Sequence, residues 1–382
     1  MKKTLISLAL VSACSSALAT ETYNGRLGGM SNAGYATGDY SEGVLLNPSL
    51  GATQGEDDDF ALVLNLGALA SDKDDLIDSL DDLVDFTDKL SDDIQNLTPA
   101  DGDILLDHLH KVDGKHVQVL AGSSLVVAAP TKTIAVSLIA KASGVVGVTS
   151  VVTPADYALI EAAKNSNIPF DPESLTSSVK GTGAFIKEVG ISFAKAVVDN
   201  EHQKILVGVT PKRVTVETII YEATVEGFDE DDIDSDEFTK KGSATSLDAG
   251  VTYIQGNLRY GVAISDIISK DFKTITTEKY ELKPKTTAAV GYSKDWLTAE
   301  LALDLNSTPG FGLGGDTKML RAGVDLNPIS FLHVRAGFAQ DMENTLEDTY
   351  SLGLGLFDAV DLSVYKGSND TAGVALGLGV RF

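Results

Sequence analysis

The chain has 382 residues, with 55 Asp and Glu against 30 Lys and Arg, a net charge of −25, 43% hydrophobic residues, 36 glycines and one cysteine. So acidic a balance argues against direct nucleic-acid binding, which needs Lys and Arg clusters on phosphates. A single cysteine excludes a disulfide framework and a C-x-x-C redox pair, and beyond the first twenty positions no run of about 18 apolar residues supplies a membrane-spanning helix.

In chain order, residues 1–19 read as an export signal: Lys2-Lys3, an apolar run from Leu5 to Ala13, then Ala17-Leu18-Ala19 as an A-x-A cleavage site. Cleavage after Ala19 starts the mature chain at Thr20 and takes the charge from −25 to −27 by removing Lys2 and Lys3. The alternative is a lipoprotein box, Val11-Ser12-Ala13-Cys14, acylated on Cys14; the apolar run before it is short for an export signal. Residues 20–56 form neither helix nor strand on this reading. Gly28, Gly29, Gly34, Gly38 and Gly43 recur too often, and Asn47-Pro48 closes the stretch as a rigid turn. Such a compact, small-residued segment before the first strand-like run suits the inside of something narrow, such as a barrel lumen. The segment 20–56 is therefore expected to be a hatch, with the barrel over 57–382.

The N-terminal half of that barrel reads as strands near 60–69, 115–129, 132–153 (one strand or a hairpin), 183–198, 203–210 and 213–227. From about Ser243 to Phe382 the alternation is sustained with period two. One face carries sets such as Leu258, Tyr260, Val262, Ile264 and Val374, Leu376, Leu378, Val380. The opposite face mixes glycine with the charges Arg259, Glu300, Asp304, Arg321, Asp325, Arg335 and Arg381. Apolar outside and glycine-plus-charge inside is the reverse of a soluble sandwich and the pattern of an outer-membrane barrel wall. The connections agree. Short ones (Gln255-Gly256-Asn257, Lys294-Asp295, Asn327-Pro328-Ile329, Phe357-Asp358) alternate with long ones at 228–244, 268–283, 306–316, 340–347 and 366–371. Trp296, Tyr292, Phe331, Phe357 and Tyr365 near strand ends read as interfacial girdles. Phe382, a terminal aromatic after an alternating strand, resembles the insertion signal read by the barrel assembly machinery.

Two insertions interrupt the pattern. In 72–113, Leu76, Leu80, Leu83, Thr87, Leu90, Ile94 and Leu97 form one helical stripe ended by Pro99, and Ile104, Leu105, Leu109 and Val112 supply a returning helix. The stripe is expected to pack on the protein itself, because an apolar stripe on a surface helix is ordinarily buried. The mixed insertion 154–180 holds a short helix at 155–164, and the sequence leaves its side of the membrane open.

No motif points to catalysis or a cofactor. Asp232-x-Asp234-x-Asp236 lacks the glycine and glutamate of a calcium loop at positions 237 and 243. The acidic runs 72–93 and 229–237 read as solvated loops. Gly310, Gly312 and Gly315 precede a strand where dinucleotide binding needs a helix, and the five histidines lack metal spacing. His333 shares the inward face with Arg335, without a nucleophile motif beside it.

The spacing of Arg26, Gly29, Ala33, Gly34, Asp39, Asn47 and Pro48 resembles the N-terminal hatch of the FadL and PorV class of outer-membrane barrels, and within it the TraF-like conjugative-transfer proteins. The resemblance implies an all-β, outer-membrane barrel of about fourteen antiparallel strands, with an N-terminal hatch and here an α-helical hairpin insertion. It implies a non-enzymatic component or scaffold of a conjugation or secretion apparatus, or alternatively a FadL-like channel for hydrophobic or small solutes. Outer-membrane lipid, the barrel assembly machinery, transfer-apparatus proteins or a hydrophobic small molecule would be its partners, without a cofactor. The chain departs from the class at Ser49, where alanine is usual, and at the hairpin 72–113, which precedes the second strand. The ligand path of the fatty-acid transporters is therefore not carried over.

Overall fold

The computed structural model describes residues 24–55, 58–72, 75–92, 97–131, 133–166, 170–224, 237–312, 315–368 and 370–382. The export signal, Cys14, Thr20 and the acidic run 229–236 lie outside the described residues.

Sixteen strands are described: β1 (Ala61–Ser71), β2 (His116–Ala129), β3 (Ala135–Val151), β4 (Ser178–Asp199), β5 (Lys204–Thr224), β6 (Thr239–Gln255), β7 (Leu258–Ser265), β8 (Lys270–Lys273), β9 (Lys279–Leu282), β10 (Lys285–Lys294), β11 (Leu297–Asp304), β12 (Met319–Ile329), β13 (Leu332–Asp341), β14 (Thr349–Leu356), β15 (Val360–Gly367) and β16 (Ala372–Arg381). All but β8 and β9 form one closed antiparallel barrel, fourteen strands in sequence order, with β1 paired to β16 from Ala61 opposite Arg381 to Ala70 opposite Ala372. Phe382 completes the seam: its carbonyl accepts from the Asp59 amide at 2.6 Å and its amide donates to the Phe60 carbonyl at 2.9 Å. Closure leaves no open sheet edge, the condition for a β-structure in lipid.

The strands obey the alternation. Leu64, Leu352, Leu362, Val374 and Val380 are exposed on the outside while their neighbours along the chain face in. So many exposed aliphatic side chains in one belt are stable only against hydrocarbon. Trp296, Phe331 and Phe357 are exposed at the end that holds the short turns, and the rings of Phe331 and Phe357 stack at 5.3 Å. Tyr365, expected in a girdle, instead faces inward and is buried, because its position in β15 has the lumen parity.

β3 is a single strand, the first of the two alternatives expected for 132–153. Two strand boundaries differ from expectation. β5 runs unbroken through Pro211, where two strands were expected: the ladder to β4 lapses between the pairs Gly190–Lys212 and Phe193–Val209 and resumes in the same register. Proline cannot donate, and here the lapse confines that cost to one side of one rung. β12 continues through Asn327-Pro328 to Ile329, which pairs with Leu332, so the turn falls one step later than expected.

The short turns gather at one end of the barrel and the long connections at the other, and in outer-membrane barrels the short-turn end is the periplasmic one. This places the insertion at 154–180 on the outer side, with the one at 72–113. Helices α1 (Leu76–Asp92), α2 (Pro99–Val112) and α3 (Pro154–Lys164) pack there as one unit. Leu76, Leu83, Leu105, Leu109, Val112 and Ile160 are buried together against Val117 of β2. The described residues of the stripe are satisfied within the protein, Ile94 lying outside the described residues; Ile104, assigned to the returning helix, is exposed.

Candidate functional site: a lumen filled from both ends

Inside the barrel the N-terminal segment lies flat against the wall. Asn24 caps a short helical turn, Gly25–Gly28, by accepting from the amides of Arg26 and Leu27, and Pro48–Ala52 forms a 3-10 turn begun by Asn47. The contact is backbone to backbone, which explains why the inward face of the wall is so rich in glycine. A Cβ on Gly250 would collide with the Asn47 Oδ1, and one on Gly337 with the Met30 carbonyl carbon. The Asn47 side-chain amide donates to the Tyr35 carbonyl at 2.7 Å and to the Thr252 hydroxyl at 3.1 Å, while its Oδ1 accepts from the amide and hydroxyl of Ser49. Ser49 in turn meets Thr252 at 2.7 Å. Serine in place of the usual alanine therefore adds a wall contact. Gly29 approaches Gly353, Gly34 packs on Leu27, Ala33 is fully buried, and Pro48 lies against Gly208.

Charge fastens the segment at two levels. At mid-height the Glu300 carboxylate accepts from the backbone amides of Tyr35 (2.6 Å), Ala36 (3.0 Å) and Thr37 (2.7 Å) and from the Thr37 hydroxyl (2.8 Å). Arg259 stands in the same cross-strand row, two strands away across Gly291. At the periplasmic floor Arg26, paired within the segment to Asp39 at 3.1 Å, reaches Asp358 of the β14–β15 turn at 3.6 Å, while Arg381 pairs with Glu42 at 2.7 Å and the Arg381 Nε donates to the Ser41 hydroxyl at 3.0 Å. Asp325 binds both His333 (3.0 Å) and Arg335 (2.9 Å), and Arg335 continues to Asp361 at 2.6 Å. His333 is thus a member of an ion-pair network. Burial works to raise the Asp39 carboxyl, but Arg26, Arg381 and donors from Ser41 and Glu42 pull it well below the usual carboxylate range. Glu42 goes the other way: its burial, with Asp39 and Asp361 nearby, outweighs Arg381 and pushes it up to about 7.

Nearer the outer mouth, Asp304 joins three strands by binding Arg321 (3.1 Å), Lys285 (3.2 Å) and the Thr287 hydroxyl (2.8 Å). A second cluster centres on the buried Lys212, which meets Glu188, Asp248 and Asp266 at 3.1, 2.9 and 2.8 Å; Lys141 also pairs with Glu188 at 2.9 Å. This cluster and Asp361 escaped the sequence reading. Glu188, Lys212 and Asp248 share the inward parity of β4, β5 and β6, so assigning faces to the N-terminal strands was the signal that could have found them.

Beside these charges the outer half of the lumen also carries an apolar wall. The connection between β7 and β10 folds as the β8–β9 hairpin into the mouth. There Phe272, Tyr280 and Leu282 are buried with the inward-facing Leu120, Val145, Ile186 and Val216, and Phe311 of the next connection packs against them. Between the hairpin and the N-terminal segment lies a cavity of about 90 Å³ touched by Tyr35, Leu45, Lys141, Lys212, Asp248 and Leu282. A smaller one of about 50 Å³ adjoins Asn32, Gln118 and Tyr365.

A closed fourteen-stranded antiparallel wall with an apolar outer belt and its own N-terminal segment folded inside defines an outer-membrane β-barrel. The chain belongs to the family described as "F plasmid transfer operon, TraF, protein", which matches residues 44–304. Among solved structures it is similar to the CymD monoaromatic hydrocarbon channel, at 12% identity over 96% of this chain and 98% of that one, with a TM-score of 0.52. It is also similar to a Pseudomonas aeruginosa FadL homologue (11% identity, 96% and 99% covered, TM-score 0.49) and to the Pseudomonas putida toluene transporter TodX (10%, 96% and 99%, 0.48). At such identities the likeness is one of fold. No curated protein matches the sequence.

Proposed function

We propose that this protein is a shut barrel serving as a non-enzymatic component or scaffold of a conjugation or secretion apparatus, its N-terminal segment acting as a hatch that stays in place. The observation that carries the reading is the Glu300 clasp: one wall carboxylate holds three consecutive hatch amides and a hydroxyl. Charge-assisted bonds of this kind are about twice as strong as neutral ones, and the pairs of Arg26 with Asp358 and of Arg381 with Glu42 add a second anchor at the floor. The transfer-operon family supports the assembly role. The test is reconstitution of the purified protein in liposomes together with transfer assays in a deletion strain. The reading expects no toluene or small-ion flux above empty liposomes and a loss of transfer restored by the intact gene. Flux that stops when a disulfide locks the hatch would overturn it.

A second reading rests on the apolar wall of Leu120, Val145, Ile186 and Val216 beneath the β8–β9 hairpin. In that reading the barrel passes hydrophobic or small solutes, as the name of the CymD channel states for that protein, and hairpin and hatch move aside in turn. Solute flux with unchanged transfer in the deletion strain would favour it.

A further inference from the structure

The wall is not of even height. β4, β5 and β6 have 22, 21 and 17 residues, whereas β7 and β11 have eight each. The outer face of this tall wall changes character along its length. Its lower part exposes Val189, Ile191, Val209 and Val251 to lipid. On the rung of Val189 the same face presents Arg213 of β5 beside Thr245, and one side-chain step higher it presents Lys187 of β4 beside Thr215 and Ser243.

We infer that this patch binds the phosphorylated headgroup of an outer-leaflet lipid, with Lys187 and Arg213 as the cations and the belt beneath them receiving the acyl chains. Lys187 pairs across the ladder with Thr215 and Val189 with Arg213, so the two cations are diagonal neighbours on one face, roughly 7–8 Å apart. Their long side chains span that gap and converge on a single phosphate, to which a guanidinium presents two parallel donors. Both are exposed, and neither forms an ion pair among the described residues. The one carboxylate on the row above, Glu217, is engaged by Lys241 at 3.0 Å. Thr215 and Ser243, whose hydroxyls meet at 3.1 Å, offer further donors at the same height. Adjacent uncompensated cations on the outside of a chain with net charge −25 favour an anionic partner. The apolar surface directly below fixes that partner as an amphiphile at the hydrocarbon boundary. Lys195, lower on β4, also faces outward but sits toward the periplasmic side, two residues from Val197, and serves as the control cation.

The test titrates detergent-purified protein with diphosphorylated lipid A and counts bound lipid by native mass spectrometry. The wild type is expected to hold the lipid, and the double variant K187Q/R213Q to bind at least tenfold more weakly. K195Q should bind as the wild type does, and K187R should retain affinity. Heat-modifiable gel mobility confirms that each variant is folded; should the double variant fail to fold, the single variants K187Q and R213Q are each expected to weaken binding about threefold. Equal binding by folded wild type and double variant overturns the inference. So does equal affinity for lipid A stripped of its phosphates, or displacement of the lipid by millimolar inorganic phosphate, which would mark a site for the free ion.

Discussion

Replacing Glu300 by alanine removes the acceptor of three hatch amides and one hydroxyl at once. Bonds to a charged group contribute about 1.5–3 kcal/mol each, so the four gross contributions are large. Against them, deleting the carboxylate also removes the several kcal/mol spent on burying its charge. The net is set by the donors left without a partner. A buried donor left unpaired costs about 1–3 kcal/mol, so three stranded amides at even about 1 kcal/mol each amount to about 3 kcal/mol, which at 1.4 kcal/mol per tenfold is roughly two powers of ten in local opening. Hydrogen exchange read by mass spectrometry on protein in nanodiscs measures this directly. Amides of Tyr35, Ala36 and Thr37 should exchange at least a hundredfold faster in E300A while β11 and β12 keep their protection. E300Q, which retains one acceptor oxygen, should fall between. Unchanged protection at residues 35–37 would refute the clasp, and uniform loss around the barrel would show that Glu300 holds the wall and not the hatch.

The floor network should respond to pH. The Glu42 carboxyl is raised to about 7 in the folded state, above its ordinary 4.5, so the folded protein binds the extra proton and hatch docking tightens as pH falls from about 7 toward 4.5. Asp39, held low, contributes the opposite dependence only below its ordinary value of 3.8. Proteolytic protection of residues 24–53 should therefore rise between pH 7.5 and 5, and E42Q should flatten the change; loss of protection on acidification in that window would contradict the assignment. G250A drives a methyl onto Asn47 and should lower the midpoint of hatch unfolding in hydrogen exchange with the barrel still heat-modifiable, whereas an unchanged midpoint would mean that Asn47 moves freely. Deleting Phe382 removes the carbonyl that closes the seam to Asp59 and should reduce the assembled, heat-modifiable fraction; full assembly would deny the terminal residue that role.

Which side of each strand meets lipid was legible in the sequence, because a period of two is a local property and the outer belt must be apolar whatever lies within. Leu352 and Leu354 against Ser351 and Gly353 need no partner to be read. Fourteen strands followed from the resemblance; along the chain Pro211 reads as a break between two strands, because a proline's missing donor matters only on the ladder it faces. What the inward residues do was decided by the tertiary structure alone. Glycine at 250 or 337 is ambiguous along the chain and becomes necessary only once Asn47 and Met30 press on it. Arg381 finds Glu42, and Glu300 finds Tyr35 and Thr37, across more than 250 positions of sequence. The hairpin that covers the apolar outer lumen was likewise invisible, since a four-residue strand carries too little periodicity to show where it packs. Sequence specifies each strand's two faces through nearest neighbours; the partners of the inner face are chosen by closure of the barrel, which brings chain ends and distant loops into one lumen.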